Sequence, residues 1–390
     1  MTELPLLFLL LPVAALSGWY AGRKSGARTV GQRVSRLSTN YFRGLNYLLN
    51  EQPDKAIEVF LELAEVDKRT VETHFALGHL FRRRGEVDRA IRLHQNLIAR
   101  PGLSEEHKIQ AVLELGEDYM RAGLLDRAEI LFCDLREIEA VAPQALRHLI
   151  SICQQERDWE KAIEHARQLE SLTGEPMGAL VAQFHCELAE AAHRKGDFTR
   201  AREHIEQAYA AEANCVRAGI LEGRLELAQN HDPAAIRAFE RVARTDPEML
   251  PELLPELLSA YRRAGEVDRA RAFLHEMLER HSGVTTLLAL TRLIEQEEGR
   301  ARAKAFLTEQ LRRRPSVRGQ GALIDLSLAE GEPLTRDLLL VLKQLGDQLV
   351  AGVPAYRCRR CGFGARLHHW QCPSCKSWGS IKPIQGPAAE

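Results

Sequence analysis

Short apolar stretches with helical spacing recur along most of the chain, and each contains an alanine that aligns with the others. The distances between successive alanines are 34, 38, 34, 39, 34, 35 and 33 residues. The aligned residues are Ala56, Ala90, Ala128, Ala162, Ala201, Ala235, Ala270 and Ala303. A period of this kind indicates a repeated supersecondary unit rather than one globular core.

Other positions keep the same phase as the alanines. Glycine lies twelve residues before four of them, and phenylalanine lies four residues after three of them. These are Gly44, Gly78, Gly116 and Gly223, with Phe60, Phe132 and Phe239. Small residues let two helices approach closely, while large ones fill the groove between them. Each unit is therefore predicted to be a pair of packed helices.

The ends of these helices are also marked. Glycine recurs five residues before an alanine, where a first helix is predicted to end in the left-handed conformation. An acid then follows in the first turn of the second helix, where the helix dipole favours negative charge. The glycines are Gly85, Gly123, Gly196 and Gly265, and the acids are Asp54, Asp88, Asp126 and Asp268.

Together these features are typical of tetratricopeptide repeats and predict an all-α superhelical solenoid of about eight or nine repeats over residues 37–350. The unit around Ala303 is degenerate, and residues 320–350 are predicted to form a further hairpin or a capping helix. Because one repeat cannot bury its apolar face alone, stacked repeats share a core and form a concave groove that binds peptides or helices.

The N-terminus differs from the repeats. Residues 4–22 contain no charged side chain, and Trp19 and Tyr20 precede Arg23 and Lys24. This length and aromatic edge predict a transmembrane anchor over residues 1–22. A cleaved signal peptide and a buried segment of a soluble protein are the alternatives, although signal peptides begin with a basic region that is missing here.

A basic juxtamembrane segment over residues 23–36 follows the predicted anchor. Residues 23–50 carry six basic side chains and no acid, whereas the whole chain has a net charge of only −1. By the positive-inside rule, we expect a single-pass protein with its repeat array and C-terminal module on the cytoplasmic side of the inner membrane. The near-zero net charge predicts no general attraction to nucleic acid.

Eight cysteines fall into two groups. Four are distributed singly in amphipathic helical patterns, and we expect them to be small buried core residues in a reducing compartment. They are Cys133, Cys153, Cys186 and Cys215. The other four lie within YRCRRCGFGARLHHWQCPSCKSWGS, as two C-x-x-C pairs with ten residues between them.

The two C-x-x-C pairs predict a rubredoxin-like metal ribbon over residues 355–381, followed by a flexible tail over residues 382–390. The predicted ligands of one tetrahedral metal ion, iron or zinc, are Cys358, Cys361, Cys372 and Cys375. Four thiolates leave no open coordination position for catalysis. His368 and His369 are redundant as ligands and are expected to be surface or packing residues.

Two other roles for this module stay open at this point. A single iron would allow electron transfer. Arginines at 357, 359, 360 and 366 with Trp370 and Trp378 would suit a nucleic-acid-binding ribbon. Since the link at 352–354 is short, we expect the module to pack back onto the repeats and close the far end of the groove.

No catalytic constellation accompanies these features. The sequence has no phosphate-binding glycine loop, no dinucleotide fingerprint and no G-x-S-x-G motif. His275 and Glu276 begin an H-E-x-x-H pattern, but position 279 is glutamate, so the second histidine ligand is missing. We therefore expect a protein-binding scaffold and not an enzyme.

The order of a short span, a repeat array and a terminal rubredoxin-like module resembles the lipopolysaccharide assembly protein B family of Gram-negative bacteria over the full length. LLFLLLPVAALSGWYAGR at the start and the four-cysteine sequence at the end carry the resemblance. Residue by residue, only the four cysteines transfer.

The resemblance implies an inner-membrane adaptor that regulates lipopolysaccharide levels. In that family, the protein promotes degradation of the lipid A pathway deacetylase by the membrane protease FtsH. An inner-membrane lipopolysaccharide sensor protein opposes it, and other lipopolysaccharide-assembly proteins are further expected partners. A scaffold that gathers lipopolysaccharide-synthesis enzymes without affecting their turnover is the alternative.

Overall fold

The computed structural model describes residues 42–44, 46–47, 52–66, 71–281, 283–328, 333–384 and 386. The predicted anchor over residues 1–22 and the basic segment over residues 23–36 lie outside this described part. Within it, none of the helices combines the length and the apolar character needed to cross a membrane. The membrane anchor therefore stays a prediction.

The described chain is almost entirely helical up to residue 351. The helices are α1 Pro53–Val66, α2 Val71–Arg84, α3 Val87–Ile98, α4 Glu105–Ala122, α5 Leu125–Leu135, α6 Ala142–Glu156, α7 Trp159–Thr173, α8 Gly178–Arg194, α9 Phe198–Ala211, α10 Val216–Ala228, α11 Asp232–Thr245, α12 Leu250–Ala264, α13 Val267–Arg280, α14 Val284–Glu298, α15 Arg300–Arg313, α16 Val317–Leu328 and α17 Pro333–Ala351. A 3-10 turn, Pro247–Met249, precedes α12. The solenoid of tetratricopeptide repeats is confirmed.

The chain divides into two compact units, one ending at Glu156 and the other beginning at Arg157. In the first unit, each helix from α1 to α6 packs against the next along the chain. The aligned alanines Ala56, Ala90 and Ala128 are fully buried. A Cβ added at Gly116 would lie 2.6 Å from the Phe132 ring, so this glycine is what allows the helices to approach closely.

Helix ends follow the predicted glycine signals. Gly123 has φ +77°, and its N–H donates to the carbonyl of Met120 while Leu124 N–H donates to Tyr119. Gly265 has φ +73° and closes α12 in the same way. These bonds satisfy carbonyls that a helix end leaves unpaired, which only a residue tolerant of positive φ permits at low cost.

In the second unit, each helix from α7 to α17 packs against the next along the chain. All five aligned alanines of this unit are buried, and a Cβ at Gly223 would lie 2.4 Å from Phe239. After α15, helices α16 and α17 pack together as a further hairpin, one of the two predicted arrangements. The α17 side chains Val341 and Leu345 are more than half exposed.

The C-terminal module is a small antiparallel sheet, with β1 Tyr356–Cys358, β2 Gly364–Ala365 and β3 Ile381–Pro383 in the order β2-β1-β3. Tyr356 lies opposite both Ala365 and Pro383, and Cys358 lies opposite Ile381. Its core consists of Cys358, Cys372 and Ile381. So small an apolar core needs additional stabilisation, which a bound metal ion provides.

Candidate metal centre and its docking surface

The two cysteine pairs occupy turns of the same shape. In the first turn, Gly362 N–H donates to the Cys358 carbonyl at 2.9 Å, and in the second, Lys376 N–H donates to the Cys372 carbonyl at 2.9 Å. The residue after each pair has positive φ, +78° at Gly362 and +58° at Lys376. The sequence marked the first turn by its glycine, whereas the lysine in the second gave no such signal.

These turns bring the four predicted ligands together. All four Sγ atoms lie within 4.8 Å of one another. The Sγ–Sγ distance is 3.7 Å between Cys358 and Cys375, and also 3.7 Å between Cys361 and Cys372. A regular tetrahedron with metal–sulfur bonds of about 2.3 Å has edges of about 3.8 Å. The arrangement therefore fits one metal ion held by thiolates.

The ligand thiols differ in their surroundings. The Ser380 hydroxyl, 3.3 Å from Cys358 Sγ, and backbone N–H groups lower the pKa of that thiol to about 6. Burial raises the pKa of Cys372 to about 11. Because metal binding requires thiolates, it displaces protons and strengthens as pH rises.

The two histidines between the pairs lie outside the sulfur cluster. His368 packs edge-on against Trp370, with ring centroids 4.6 Å apart, and against Tyr356 at 5.7 Å. Burial lowers its pKa, so the packed ring is held in its neutral form. His369 is exposed.

The module docks on the repeats through its tryptophans. Arg217 of α10 is 2% exposed, and its guanidinium lies 5.5 Å from the Trp370 ring centre and 5.6 Å from that of Trp378. The same guanidinium donates to Glu190 at 2.7 Å and to Glu187 at 2.8 Å, both on α8. A buried cation that is paired with two carboxylates and packed against two aromatic rings is a strong anchor, although its Nη1 has no hydrogen-bond partner within the described part of the chain.

Aromatic packing extends this anchor on the α8 side. The Trp378 ring meets Phe184 edge-on at 6.1 Å and Trp159 edge-on at 6.2 Å. Edge-to-face pairs of this separation add to the stabilisation that burial gives. Both tryptophans of the module therefore face the array.

Charged side chains hold the other side of the module. Arg359 donates to both carboxylate oxygens of Glu248, at 2.6 and 2.7 Å. Lys382 pairs with Asp246, and the Tyr356 hydroxyl donates to Glu252 on α12. The module thus contacts the first helices of three successive hairpins, α8, α10 and α12.

This position corrects one expectation. The module was expected to close the far end of the groove, but its contacts are with residues 159–252, well before the last helices α16 and α17. The cause is complementarity: Arg217 and the carboxylates of residues 246, 248 and 252 match the module's aromatic and basic side chains. Sequence spacing contained no sign of these pairs, which are 104 to 136 residues apart for the carboxylate contacts.

Docking leaves a cavity of about 330 Å³ between the module and the array. Trp370 lines it on the module side, and on the array side it is lined by Glu190, Arg194, Leu221 and Arg224, among others. The cavity combines apolar walls with charges of both signs. It has the character of a site for a partner side chain rather than for metal chemistry.

Comparison with known families agrees with this architecture. Residues 356–383 match a rubredoxin metal binding domain. Residues 73–106 and 186–250 match tetratricopeptide repeat models, and residues 257–282 match a PPR repeat.

Curated relatives match almost the whole chain. Lipopolysaccharide assembly protein B of Escherichia coli K12 is 40% identical over 384 residues, covering 98% of this chain and 99% of that protein. Lipopolysaccharide assembly protein B of Haemophilus influenzae is 33% identical over 389 residues, covering 97% and 98%. Among solved structures, the MamA protein aligns with a TM-score of 0.33 at 18% identity, over 47% of this chain and 96% of that one.

Proposed function

The chain belongs to the lipopolysaccharide assembly protein B family, and from that membership we propose that it is a non-catalytic adaptor of the inner membrane. In this proposal, it promotes degradation of the lipid A pathway deacetylase by FtsH and so limits lipopolysaccharide synthesis. A lipopolysaccharide sensor protein of the inner membrane opposes this activity.

The observation that carries the proposal is the docked module. Stacked helical hairpins offer a surface for a protein partner. The module adds Trp370 to that surface, and the cavity beside it has room for a partner's side chain. A composite surface of this kind suits recognition of a client protein, which requires binding and orientation but no reactive group.

Anchoring gives such an adaptor its efficiency. The uncharged segment over residues 4–22 would hold the array beside a membrane protease and a membrane-associated client. Confinement to one membrane raises the effective concentration of both partners without any new contact. We place the array and the metal module on the cytoplasmic side.

The metal has a structural part in this proposal. Four thiolates close the coordination sphere, and the docked module depends on its turns for Trp370 and Trp378 to reach Arg217. Metal analysis with a visible spectrum distinguishes zinc from iron. A colourless zinc protein supports the structural role, whereas a red, redox-active iron centre would favour electron transfer.

The test is the lifetime of the deacetylase in cells. Variants that lack residues 2–22, or that carry Cys358→Ser and Cys361→Ser, replace the natural chain. After protein synthesis is stopped, we expect the deacetylase to persist longer and lipopolysaccharide to rise in both variants. Cys133→Ser, which changes a cysteine outside the module, is the matched control and keeps the normal half-life.

An unchanged deacetylase half-life in both variants would contradict the proposal. Crosslinking in cells, followed by purification from the membrane fraction, then separates the remaining candidates. Recovery of FtsH and the deacetylase supports the adaptor. Recovery of several lipopolysaccharide-synthesis enzymes, with no change in turnover, supports the scaffold instead.

A further inference from the structure

Two cysteines that are 29 residues apart in the sequence meet beneath the docked module. Cys186 lies on α8 and is fully buried, and Cys215 immediately precedes α10 and is 6% exposed. Their Sγ atoms are 3.9 Å apart. Ala182, Ala189 and other apolar residues surround them. Their spacing in the sequence had predicted only that each is a buried core residue.

The two thiols have different chemical environments. Cys215 is the N-cap of α10, where the backbone N–H groups of Arg217 and Ala218 and the Arg217 guanidinium favour a thiolate. The contact from Cys186 and then these groups outweigh burial and lower the pKa of Cys215 to about 7. The pKa of Cys186 is raised, first by its contact with Cys215 and then by burial. Cys215 lies at the N-terminal end of α10 and is the less buried of the two, so we assign it as the nucleophile, with Cys186 positioned to resolve it.

The pair also lies next to the docking anchor. Arg217, two residues after Cys215, contacts Trp370 and Trp378. Glu187, the residue after Cys186, accepts a hydrogen bond from that same guanidinium. Each cysteine is therefore within two residues of a side chain that takes part in holding the module.

We propose that Cys186 and Cys215 form a redox-active dithiol whose oxidation to a disulfide by a peroxide loosens the docking of the metal module. This proposal does not depend on the adaptor role. It assigns to the array a modification site that is separate from the four thiols of the metal centre.

The chemistry balances with hydrogen peroxide as the oxidant. The Cys215 thiolate attacks one peroxide oxygen, the O–O bond breaks, and the departing hydroxide takes up a proton to become water, leaving a sulfenic acid. Cys186 Sγ then attacks Cys215 Sγ and forms the S–S bond. The sulfenic hydroxyl leaves as a second water with the proton of Cys186. Two thiols are oxidised, and one peroxide is reduced to two waters.

Disulfide formation would change the local geometry. A disulfide has a sulfur–sulfur bond of about 2.05 Å, so the two atoms must move roughly 1.9 Å closer than in the dithiol. This movement draws the start of α10 toward α8. Arg217 shifts with it, away from the position in which its guanidinium contacts Glu187, Glu190 and the two tryptophans.

The test treats the full, metal-loaded chain with hydrogen peroxide, then blocks remaining thiols and maps the peptides by mass spectrometry. We expect a Cys186–Cys215 linked peptide and a fall in free thiols, counted in denaturant with a chelator, from the eight of the sequence by two. Elemental analysis of the protein after desalting monitors the bound metal in parallel. Tryptophan fluorescence should change with disulfide formation, because Trp370, Trp378 and Trp159 lie at the docking surface.

Variants make the assignment specific. Cys186→Ala and Cys215→Ala each remove one member of the pair, keep all four metal thiols and should lose both the linked peptide and the fluorescence change. Cys153→Ala, at a buried cysteine of α6, should respond like the natural chain. If Cys215→Ala fails to fold, Cys186→Ala and the natural chain still decide the outcome.

Two results would overturn the proposal. One is oxidation confined to the metal thiols, with metal release, while Cys186 and Cys215 remain reduced. The other is a linked peptide that forms with no change in fluorescence or in the rate at which a chelator extracts the metal. The first result would show that Cys186 and Cys215 are not a redox-active pair. The second would show that their disulfide does not affect the docking of the module.

Discussion

At the scale of single residues, a glycine and an aromatic ring sixteen positions apart set the distance between the helices of a repeat. A Cβ at Gly223 would lie 2.4 Å from the Phe239 ring, and one at Gly116 would lie 2.6 Å from Phe132. Both rings are fully buried. Because the rings have no room to move, the glycines are required by packing rather than by backbone conformation.

Gly223→Ala should therefore destabilise the protein. Forcing a methyl group into a filled core costs about 1–3 kcal/mol. Gly321→Ala is the control, since its position in α16 has no heavy atom within 4 Å of an added Cβ. That change should be neutral or stabilise by about 0.5–1 kcal/mol. Urea unfolding measures both; equal effects would refute the packing explanation.

One repeat replaces the phenylalanine by a histidine, and a polar network accompanies it. His94 is fully buried and donates from Nδ1 to Asp118 at 2.6 Å, while Arg82 donates to Asp118 at 2.8 Å and to Glu114 at 2.6 Å. Burial disfavours the charged form of Glu114, but hydrogen bonds from His79 and Arg82 outweigh it and lower its pKa to about 2. A histidine can occupy this otherwise apolar position because Asp118 accepts a hydrogen bond from its ring.

A second buried histidine predicts a dependence of stability on pH. Neither ring nitrogen of His185 has a hydrogen-bond partner within the described part of the chain. Burial, with the nearby charges of His204 and Arg167, lowers its pKa from 6.5 to about 4. The unfolded chain therefore binds the proton more tightly, and the contribution to stability is complete above pH 6.5 and is lost toward pH 4.

His185→Leu should remove this dependence. We expect the natural chain to lose more stability than the variant when the pH falls from 7 to 5, as measured by thermal unfolding in matched buffers. Below about pH 4.5, carboxylates add their own titration, so the comparison belongs above that value. Parallel curves for the two proteins would show that His185 does not titrate as described.

At the scale of elements, hairpins α8–α9, α10–α11 and α12–α13 form the surface on which the module docks. Arg217 is the central contact, and ion pairs from Arg359 and Lys382 lie toward the edge. The Arg359 side chain is largely exposed, so its ion pair contributes little, whereas the Lys382–Asp246 pair is more buried. A buried guanidinium that contacts two aromatic rings cannot be replaced by a lysine. The strength of docking therefore depends mainly on this one side chain.

Arg217→Lys should release the module from the array. A compact ammonium cannot donate to both glutamates while stacking on the rings, and we expect a chelator to extract the metal faster than from the natural chain. Proteases should also cleave the link after α17 more readily. Arg263→Ala, which removes a surface pair with Asp232, is the control and should leave both rates unchanged. A normal extraction rate for Arg217→Lys would show that the ion pairs of Arg359 and Lys382 are enough to hold the module on the array.

At the scale of the whole molecule, the array and the metal module depend on the metal to different extents. Within each of the two compact units, helices pack against their neighbours, so each unit has its own core. The module has a very small core and relies on its four thiolates. Loss of metal should therefore affect one part of the chain much more than the other.

Metal removal by a chelator under reducing conditions should leave the helical circular dichroism nearly unchanged. The tryptophan fluorescence should change, because the module carries Trp370 and Trp378. Metal analysis should give about one ion per natural chain and none for Cys372→Ser. Cooperative loss of helix upon chelation would contradict this separation.

The sequence alone determined the repeat, because small and large residues alternate in a phase that helix packing imposes locally in every unit. It likewise determined the helix ends, through glycine at positive φ, and the cysteine pairs, since ligands three residues apart need only a local turn to reach one metal. These signals are contained within one hairpin or one turn.

Three features depend on how the chain folds in space: where the module lies, which side chains Arg217 contacts, and that Cys186 meets Cys215. Each of these contacts joins residues from different hairpins, and the small rotation between stacked hairpins determines which side chains meet. No periodic pattern records that rotation. The physical reason is that a solenoid repeats its local packing in every hairpin, while contacts between distant residues depend on the accumulated rotation and translation from one hairpin to the next.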